Sequence, residues 1–344
     1  MAAENTKLHR PGLLIRRAVI VAVLATATCL LGCGRTEHKP AGPPAKVTFA
    51  YATVPETTLA QVAQAHGYFR EGGLEVTPHL HPYGKPALEE LLAGKADFAT
   101  VAETPFMFAL MQGEKIAIIA TIQTSRLSNA ILARKDRGIF TPGDLKGKRI
   151  VTALGTNLDF YLDAILTLQG ISRKEVEVVG LKLDAMTGPL ERGDIDAVST
   201  FSHYKTLMQE KLGDRVLTFQ DKEIYQESFL VVTTQEYIHN HPETVKKMVR
   251  SLVKAEEFTR KHPAEAEKIV SDFSGIDIRL LHDIWAESDL DVTLDQTLIL
   301  ALEDESRWAI KAGLTTAKEV PNYLDCIYVD GLKAIKPEAV SILR

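Results

Sequence analysis

The sequence predicts an α/β protein with two similar lobes, each built around a mostly parallel sheet, and three observations support this prediction. The stretch LLAGKADFATVAET, residues 91–104, is echoed at an offset of 99 by PLERGDIDAVSTFSH, residues 189–203. Strand-like and helix-like segments alternate along most of the chain. At 344 residues the chain is long enough for two domains and a large core. We expect a ligand to bind in the cleft between the two lobes.

Each copy of the repeat has the pattern of a helix end, a glycine stop, a short buried strand and a polar turn that opens the next helix. The matched positions are Leu91, Gly94, Asp97 and Thr100 in the first copy and Leu190, Gly193, Asp196 and Ser199 in the second. The same offset pairs Thr57 with Thr156 and Leu59 with Leu158. A repeated Gly-x-x-Asp before a strand, in register with a second match, indicates two related halves.

The composition narrows the class of protein. With 45% hydrophobic and 25% charged residues, the chain is neither disordered nor a polytopic membrane protein. The net charge is −5, and the body after residue 32 is more acidic still, which argues against a nucleic-acid partner. The cysteines are Cys29, Cys33 and Cys326, and their spacing fits neither a disulfide framework nor a zinc finger. We expect Cys326 to be a buried structural residue.

Residues 1–32 have the features of a lipoprotein signal peptide. Arg16 and Arg17 precede the uncharged run Ala18–Leu31, which is shorter than the ~20 residues of a spanning helix and suits a signal-peptide core. The run leads into Leu-Leu-Gly-Cys, which resembles the bacterial lipobox, so we expect a lipid on Cys33. Residues 33–45 then form a flexible Pro/Gly-rich tether. The alternative is an uncleaved N-terminal anchor; either way the body lies outside the cytoplasmic membrane.

The first lobe is predicted from segments whose ends carry recognisable signals. Thr57 and Thr58 cap the first helix, and Gly72 and Gly73 turn the chain into the second strand. The predicted strands are Lys46–Ala52, Leu74–Leu80, Asp97–Val101 and Lys115–Ile122, and the helices are Thr58–Arg70, Pro86–Ala93 and Pro105–Gln112. This alternation predicts parallel strands with helices on both faces of the sheet.

The second lobe repeats this pattern after the apolar segment Asn129–Arg134. The run Thr-Pro-Gly-Asp at 141–144 starts a turn, and Gly170 closes the first helix. The predicted strands are Arg149–Ala153, Glu175–Val179, Ile195–Ser199 and Val216–Phe219, and the helices are Thr156–Gln169 and Ser202–Lys211.

From Pro242 onward the chain is predicted to be almost entirely helical. The segments are Pro242–Lys261, Pro263–Phe273, Arg279–Glu287 and Leu294–Ala312. We expect these helices to return to the first lobe, so that the chain crosses between lobes near Asn129–Arg134 and near Phe229–Thr233 and forms a two-strand hinge. Lobe 1 then comprises residues 46–130 and 233–344, and lobe 2 residues 131–232. The alternative is a separate helical domain over residues 242–344.

Several motifs, in the same order along the chain, resemble those of the nitrate/sulfonate/taurine-type substrate-binding proteins of ABC importers. They are GYFREGGLEV, LLAGKADF, LARKDRGIFTPGDLKGKRIVTALGT, GDIDAVSTFSHY and EYIHNHPETVKKMV, and they span residues 46–340. The resemblance implies a type II periplasmic-binding-protein fold, in which two Rossmann-like lobes close on a small solute and dock on a membrane permease. We also expect a monomer with no catalytic residues, no cofactor and no metal.

We expect the solute to bind where strands end and helices begin, because helix N-termini there present free backbone N–H groups. Four such junctions supply the candidate ligand-binding residues Thr57, Thr58, Glu103, Thr104, Thr156, Asn157, Phe201, Ser202 and Tyr204. Hydroxyls and amides at these positions suit a small oxyanion. The alternative is that the threonines and the serine only cap their helices.

Two departures from the family pattern bear on the solute. Where many members have a Trp-acid-Pro-Tyr-like run, this chain has Phe-Ser-His-Tyr at 201–204, which keeps the aromatic residues and lacks the acid. Conversely, Glu103 occupies a turn where small or apolar residues are common. A carboxylate there would repel a bare sulfonate or nitrate, so we hypothesise a zwitterionic or amine-bearing solute. The alternative places Glu103 in solvent at the positive end of a helix.

Three histidines are not interpreted as ligands. His66 has helical spacing with apolar neighbours and is interpreted as a packing residue. His79 and His81 alternate on one strand face, but no carboxylate or cysteine stands at useful spacing for a metal site. Nucleophile-elbow, P-loop and zinc-protease motifs do not occur in the sequence.

Four functions compete on this evidence. The first is a lipid-anchored receptor that delivers a solute to an ABC permease. The second keeps the fold and takes a thiamine pyrimidine precursor or another amine-bearing heterocycle. The third is a related pyrimidine-synthesising enzyme that consumes its own histidine, but its cysteine-rich motif is missing and an export signal is present. The fourth is a sensor that presents its closed form to a membrane receptor.

Overall fold

The computed structural model describes residue 1 and residues 42–343. The predicted signal peptide, Cys29, the lipidation site Cys33 and most of the tether lie outside these residues. The body forms one compact unit from Gly42 onward.

Eleven strands form two sheets in the described part of the chain. Their bounds are β1 Ala45–Ala52, β2 Leu74–His81, β3 Phe98–Ala102, β4 Ile116–Ser125, β5 Asn129–Arg134, β6 Arg149–Thr152, β7 Glu177–Gly180, β8 Ala197–Phe201, β9 Val216–Phe219, β10 Glu227–Thr234 and β11 Ser288–Asp289. The first sheet has the order β2-β1-β3-β10-β4-β11, and the second has the order β7-β6-β8-β5-β9.

The helices cover both sheets and then dominate the last third of the body. Their bounds are α1 Thr58–Ala65, α2 Tyr68–Glu71, α3 Gly84–Leu92, α4 Glu103–Met111, α5 Asn157–Leu168, α6 Thr187–Arg192, α7 Ser202–Leu212, α8 Gln235–Asn240, α9 Pro242–Lys261, α10 Pro263–Ser274, α11 Ile278–Ala286, α12 Gln296–Ala312 and α13 Val329–Lys333. No described helix has both the length and the apolar character that crossing a bilayer requires.

The two sheets are mixed but mostly parallel, as predicted. In the first sheet β10 and β11 run against the other four strands. In the second sheet β5 runs against the other four. The reversed strands β10 and β5 each occupy the fourth place from the corresponding edge, so the first five places of the two sheets share one strand plan, and β11 is added at the far edge of the first sheet.

The sequence repeat has a physical basis in this shared plan. The backbone N–H of Thr48 donates to Asp97 Oδ2 at 2.7 Å, and the N–H of Arg149 donates to Asp196 Oδ2 at 2.8 Å. Each aspartate therefore ties the strand after it to the neighbouring parallel strand, β3 to β1 in the first sheet and β8 to β6 in the second. Gly94 and Gly193 both have left-handed backbones, with φ of 67° and 78°, and end the preceding helix.

The chain passes between the sheets at points that differ from the predicted ones. Strand β5 pairs only within the second sheet among the described strands, so the first passage lies at residues 126–128 and not along Asn129–Arg134. Strand β10 pairs with β3 and β4 of the first sheet, so the second passage lies at residues 220–226 and not along Phe229–Thr233. Both strands are long apolar runs, and such runs belong inside a sheet, where both faces are covered.

The helices after Pro242 pack on the first sheet. Val245, Met248 and Leu252 of α9 and Leu298 and Leu302 of α12 share one buried cluster with β1, β3, β4 and β10. A separate cluster lies under α5 in the second sheet. A third cluster joins residues of both lobes, including Ala102 and Phe229 from the first and Leu158 and Phe201 from the second. The lobes therefore touch through an apolar surface.

Local differences from the predicted elements have simple causes. The first helix is broken at Gly67, whose φ is 70°, and resumes as the short α2. His66 at this break packs its ring against Tyr68 and Phe258, with ring centroids 5.3 Å and 4.0 Å away, which agrees with a packing role. Cys326 is buried, as expected.

Candidate functional site

The predicted helix-start residues follow strand ends in both lobes, and three of them, Thr156, Asn157 and Phe201, line a cavity between the lobes. Thr57, Glu103, Thr156 and Ser202 come from the ends of β1, β3, β6 and β8, and all four are buried. None of these four residues lies on the outer surface, where it could not contribute to a cleft between the lobes.

A small cavity of about 20 Å³ lies between the lobes. Its lining from the first lobe is Tyr83, Gly84, Lys85, Ala102, Pro105, Glu227 and Phe229, and its lining from the second is Thr156, Asn157, Leu158, Leu183 and Phe201. This space holds about one water molecule. The lobes are therefore closed on each other in this conformation, and a solute of several atoms requires them to separate.

The hydroxyls of Thr57 and Thr58 are already occupied by their own chain. Thr57 Oγ1 donates to the carbonyl of Ala52 at 2.7 Å, and Thr58 Oγ1 donates to the carbonyl of Pro55 at 2.7 Å. Gln61 also donates to Thr57 Oγ1. These bonds fix the turn after β1, but they are not helix caps, because the Thr57 hydroxyl accepts no backbone N–H of α1. Neither residue lines the cavity.

Thr156 and Asn157 do line the cavity. Thr156 is the N-cap of α5: its Oγ1 accepts the N–H of Leu158 at 3.3 Å and donates to the carbonyl of Ala153 at 2.7 Å. Asn157 Nδ2 donates to Asn129 Oδ1 at 2.9 Å and to Glu227 Oε2 at 2.6 Å. Asn129 Nδ2 donates to the same glutamate oxygen at 2.9 Å. Two amides of the second lobe thus hold one carboxyl of the first.

The turn from β8 into α7 supplies both a wall and a strained residue. Phe201 lines the cavity, whereas Tyr204 does not; its ring centroid lies 4.1 Å from that of His203, with the two rings tilted by 36°. Ser202 has φ of 46°, the single positive φ among the non-glycine residues that the structure describes. Its hydroxyl is buried without a hydrogen bond of good geometry, beside Glu56. Such strain is often found at functional sites.

Glu103 is fully buried, so the alternative that placed it in solvent is wrong. It begins α4, accepts a short hydrogen bond from the hydroxyl of Tyr225, and accepts the N–H of Ser228 at 3.0 Å. Burial raises the pKa of Glu103 to about 7. Thr104, the next residue, is also buried, and its hydroxyl has no hydrogen-bond partner of good geometry among the described residues.

Glu103 is one of four buried glutamates around the interlobe junction, with Glu56, Glu227 and Glu305. Burial raises the pKa of Glu56 to about 7 and raises the pKa values of Glu227 and Glu305 well above their usual range. The carboxyls also raise one another's pKa by charge repulsion, Glu56 and Glu103 acting on Glu227 and Glu103 on Glu305. We call these four residues the glutamate cluster.

Glu227, Asn129 and Lys85 belong to the site although no sequence motif singled them out. Glu227 carried a partial signal, because it lies two positions before the apolar run Phe229–Thr233, and in the structure strand β10 begins at Glu227. Lys85 Nζ reaches across to the carbonyl of Leu154 at 3.0 Å. Glu305 could not be found this way, since it lies on α12, about 200 residues from Glu103 in sequence.

Other contacts between the lobes lie outside the cavity. Trp308 Nε1 of α12 donates to Asp163 Oδ2 of α5 at 2.8 Å, and its ring lies 5.2 Å from that of Phe160. Lys205 Nζ of α7 contacts Glu287 Oε2 at 3.3 Å. These polar contacts bridge the two lobes at the perimeter of the junction.

The surroundings of His79 and His81 differ from the sequence-based expectation in one respect. A carboxylate does stand near them: Glu90 of α3 contacts His79 Nδ1 at 2.7 Å with one oxygen and His81 Nε2 at 2.6 Å with the other. Helix α3 places Glu90 beside the two histidines of the edge strand β2. The spacing of these residues in the sequence did not indicate this contact.

Residues 54–266 match the NMT1/THI5-like family. The taurine-binding periplasmic protein of Escherichia coli K12 is 29% identical over 216 residues, which is 61% of this chain and 65% of that protein.

Two solved structures share the fold. The periplasmic aliphatic sulphonate-binding protein SsuA from Escherichia coli superimposes with a TM-score of 0.72 at 15% identity, covering 83% of this chain and 98% of that one. The desulfurization enzyme DSZB superimposes with a TM-score of 0.65 at 14% identity, covering 84% and 98%. The fold therefore serves both binding proteins and an enzyme. The two-lobed α/β architecture is that of the periplasmic binding proteins, and because the family match spans more than half of the sequence, this chain belongs to the NMT1/THI5-like family.

Proposed function

We propose that this protein is the extracytoplasmic solute-binding component of an ABC importer, and that it captures a small organic solute between its lobes. One observation carries the proposal: helix starts from both lobes supply the walls of a single cavity, with Pro105 of α4 facing Thr156 and Asn157 of α5. A site divided between two lobes couples ligand binding to closure, because the ligand gains its full contacts only when the lobes meet.

Closure would be stabilised at the perimeter as well as at the ligand. The Trp308–Asp163 and Lys205–Glu287 contacts and the Lys85 bond to Leu154 join the lobes in the closed form. The chain segments at 126–128 and 220–226 are the connections about which the lobes would separate. In this proposal the permease recognises the closed form, and its docking separates the lobes and releases the solute.

The solute is proposed to be a sulfonate, taurine or nitrate-like oxyanion or a related small organic molecule. The relatives named for taurine and for aliphatic sulphonates support this class. The alternative is a thiamine pyrimidine precursor or another amine-bearing heterocycle, which the aromatic walls Tyr83, Phe201 and Phe229 could cover. A sensory receptor that uses the same closure is a further alternative.

We propose in addition that the protein binds its solute without transforming it, acts as a monomer and requires no cofactor. The anchor would be a lipid on Cys33, which would place the body on the outer face of a membrane. Metabolic labelling with a radioactive fatty acid tests the anchor: the wild type should be labelled and Cys33→Ser should not. Labelling of the variant would contradict the anchor.

A ligand screen with mass spectrometry tests the binding function. Purified protein is denatured, and the released small molecules are identified; candidate solutes are then tested by isothermal titration calorimetry. Asn157→Ala should weaken binding at least tenfold, because the amide that holds Glu227 is lost, whereas the exposed Asn240→Ala should leave binding unchanged. Recovery of a chemically altered solute would contradict the binding-only role. Equal affinities for the two variants would contradict the assignment of the site.

A further inference from the structure

We propose that closure of the two lobes is coupled to proton uptake by two carboxyls of the first lobe, Glu227 and Glu56. This inference rests on the lobe separation of the proposed function and goes beyond it. It makes the proton a second effector of closure, in addition to the solute.

Glu227 belongs to the first lobe but is covered by the second. It begins β10 and lines the interlobe cavity, and its Oε2 atom accepts hydrogen bonds from Asn129 at 2.9 Å and from Asn157 at 2.6 Å. The two asparagines begin β5 and α5, which are elements of the second lobe. Separation of the lobes therefore removes these groups and returns the carboxyl to water.

Glu56 is covered in a similar way. It follows β1 in the first lobe and is 2% exposed. Its Oε1 atom accepts the hydroxyl of Ser128 at 3.5 Å, and Ser202 and Lys205 of α7 lie beside it. Ser128 lies in the passage between the sheets, and α7 belongs to the second lobe. This carboxyl therefore also loses part of its cover when the lobes separate.

The other two members of the glutamate cluster face the first lobe. Glu103 accepts hydrogen bonds from Tyr225 and from the N–H of Ser228, and Glu305 lies beside Thr104. Burial raises the pKa values of Tyr225 and Glu305 well above their usual ranges, so these groups bring no positive charge to the cluster. We expect Glu103 and Glu305 to stay buried in the open form and to affect global stability, not closure.

The surroundings of Glu227 disfavour its ionised form while the lobes are closed. Burial raises the pKa of Glu227 well above its usual range, and charge repulsion from Glu56 and Glu103 raises it further. The hydrogen bond from Asn129 lowers this pKa by a smaller amount. The closed form therefore holds Glu227 in its protonated state.

Two lysines lie near these carboxyls, but their charges are engaged elsewhere. Lys85 lines the same cavity, and its Nζ atom donates to a backbone carbonyl of the second lobe at 3.0 Å. Lys205 is paired with Glu287. It lowers the pKa of Glu56, but burial has the larger effect and raises that pKa to about 7. Among the described residues, neither lysine forms an ion pair with Glu227.

The sign of the pH effect follows from these pKa values. In the open form Glu227 faces water, and its pKa returns toward the usual 4.5. The closed form therefore keeps a proton that the open form loses as the pH rises above about 4.5. Low pH favours closure, and this advantage is lost as the pH rises through the pKa of the closed form. For one proton, the ratio of open to closed molecules increases by up to about tenfold for each pH unit.

X-ray scattering of the dialysed, solute-free wild type at pH 5, 6, 7 and 8 tests the inference. The radius of gyration should be smallest at pH 5 and should increase toward pH 8, as the ratio of open to closed molecules increases at least about tenfold. Glu227→Gln should stay closed at every pH, because the amide resembles the neutral carboxyl and cannot ionise. The exposed Glu257→Gln should follow the wild type. Far-UV circular dichroism at each pH separates opening from unfolding.

Glu56→Gln serves as a second variant if Glu227→Gln fails to fold, and it should make the wild-type profile of radius against pH flatter. A wild-type radius that is constant or decreases from pH 5 to pH 8 would overturn the inference. An increase accompanied by loss of helical circular dichroism, or a Glu227→Gln profile parallel to that of the wild type, would do the same. The proposed function fails separately, when no solute of any class is recovered from the purified protein or bound by it.

Discussion

The burial of Glu103 makes a quantitative prediction about stability and pH. Its pKa is raised from the usual 4.5 to about 7 because the carboxyl is removed from water. Between these values the folded state holds a proton that the unfolded state has lost. The free energy of unfolding must therefore fall as pH rises from about 4.5 through 7, and the loss is complete above pH 7.

The magnitude follows from the difference in pKa. A difference of this size corresponds to about 3 kcal/mol at high pH. The glutamate cluster titrates as a group, so the pH profile of the wild type reports all four carboxyls together. A fall of several kcal/mol between pH 5 and pH 8 is a large fraction of a total stability of about 5–15 kcal/mol.

Glu103→Gln isolates one member of the cluster. The amide oxygen can still accept the Tyr225 hydroxyl, but the amide nitrogen then faces the N–H of Ser228, which costs about 1–3 kcal/mol at every pH. The variant should therefore be less stable than the wild type at pH 5. At pH 8 this deficit should shrink or reverse, because the variant has no charge to bury at position 103.

Urea unfolding at half-unit steps from pH 5 to pH 8 measures this effect. The plot of unfolding free energy against pH should be flatter for Glu103→Gln than for the wild type. The exposed Glu257→Gln serves as the control and should follow the wild-type slope. Parallel profiles for Glu103→Gln and the wild type would refute the reasoning that burial of this carboxyl governs the pH dependence.

Three further predictions follow from other contacts. Asp97→Ala should lower the free energy of unfolding by about 1–3 kcal/mol, as measured by urea titration, because it leaves the part-buried N–H of Thr48 unpaired; Asp196→Ala should lower it by less, because the N–H of Arg149 is exposed and can bind water instead, and a larger loss for Asp196→Ala than for Asp97→Ala would contradict this reasoning. Trp308→Phe removes one interlobe hydrogen bond of about 1 kcal/mol and should shift the closed form toward the open one about fivefold, seen as a larger radius of gyration in X-ray scattering; an unchanged radius would mean that the Asp163 contact does not control closure. Ser202→Gly should stabilise the protein by about 1 kcal/mol in thermal unfolding, because glycine accepts a positive φ; a loss of stability would show that the buried hydroxyl outweighs the strain.

The local features of this fold could be predicted from the sequence. Glycines at 94 and 193 end helices because only residues without a Cβ adopt a positive φ readily, and the aspartates three positions later tie neighbouring strands. Such patterns involve residues only a few positions apart. The sequence alone therefore predicts most of the strands and helices that the structure contains. The alternation of these elements was sufficient for the two-lobed α/β class.

The composition of the site depends on tertiary packing, which the spacing of residues in the sequence does not describe. The sequence predicts that Glu103 and Asn157 lie at helix starts. Their neighbours in the structure come from elsewhere: Tyr225 from just before β10, Glu227 from the beginning of β10 and Glu305 from the distant helix α12. Whether a hydroxyl such as that of Thr57 is free or already bonded was likewise set by the exact turn around it. Hydrophobic periodicity and helix capping are local and are therefore determined by the sequence alone. The groups that surround a buried carboxyl depend on how the two lobes pack together, and only the tertiary structure decides this.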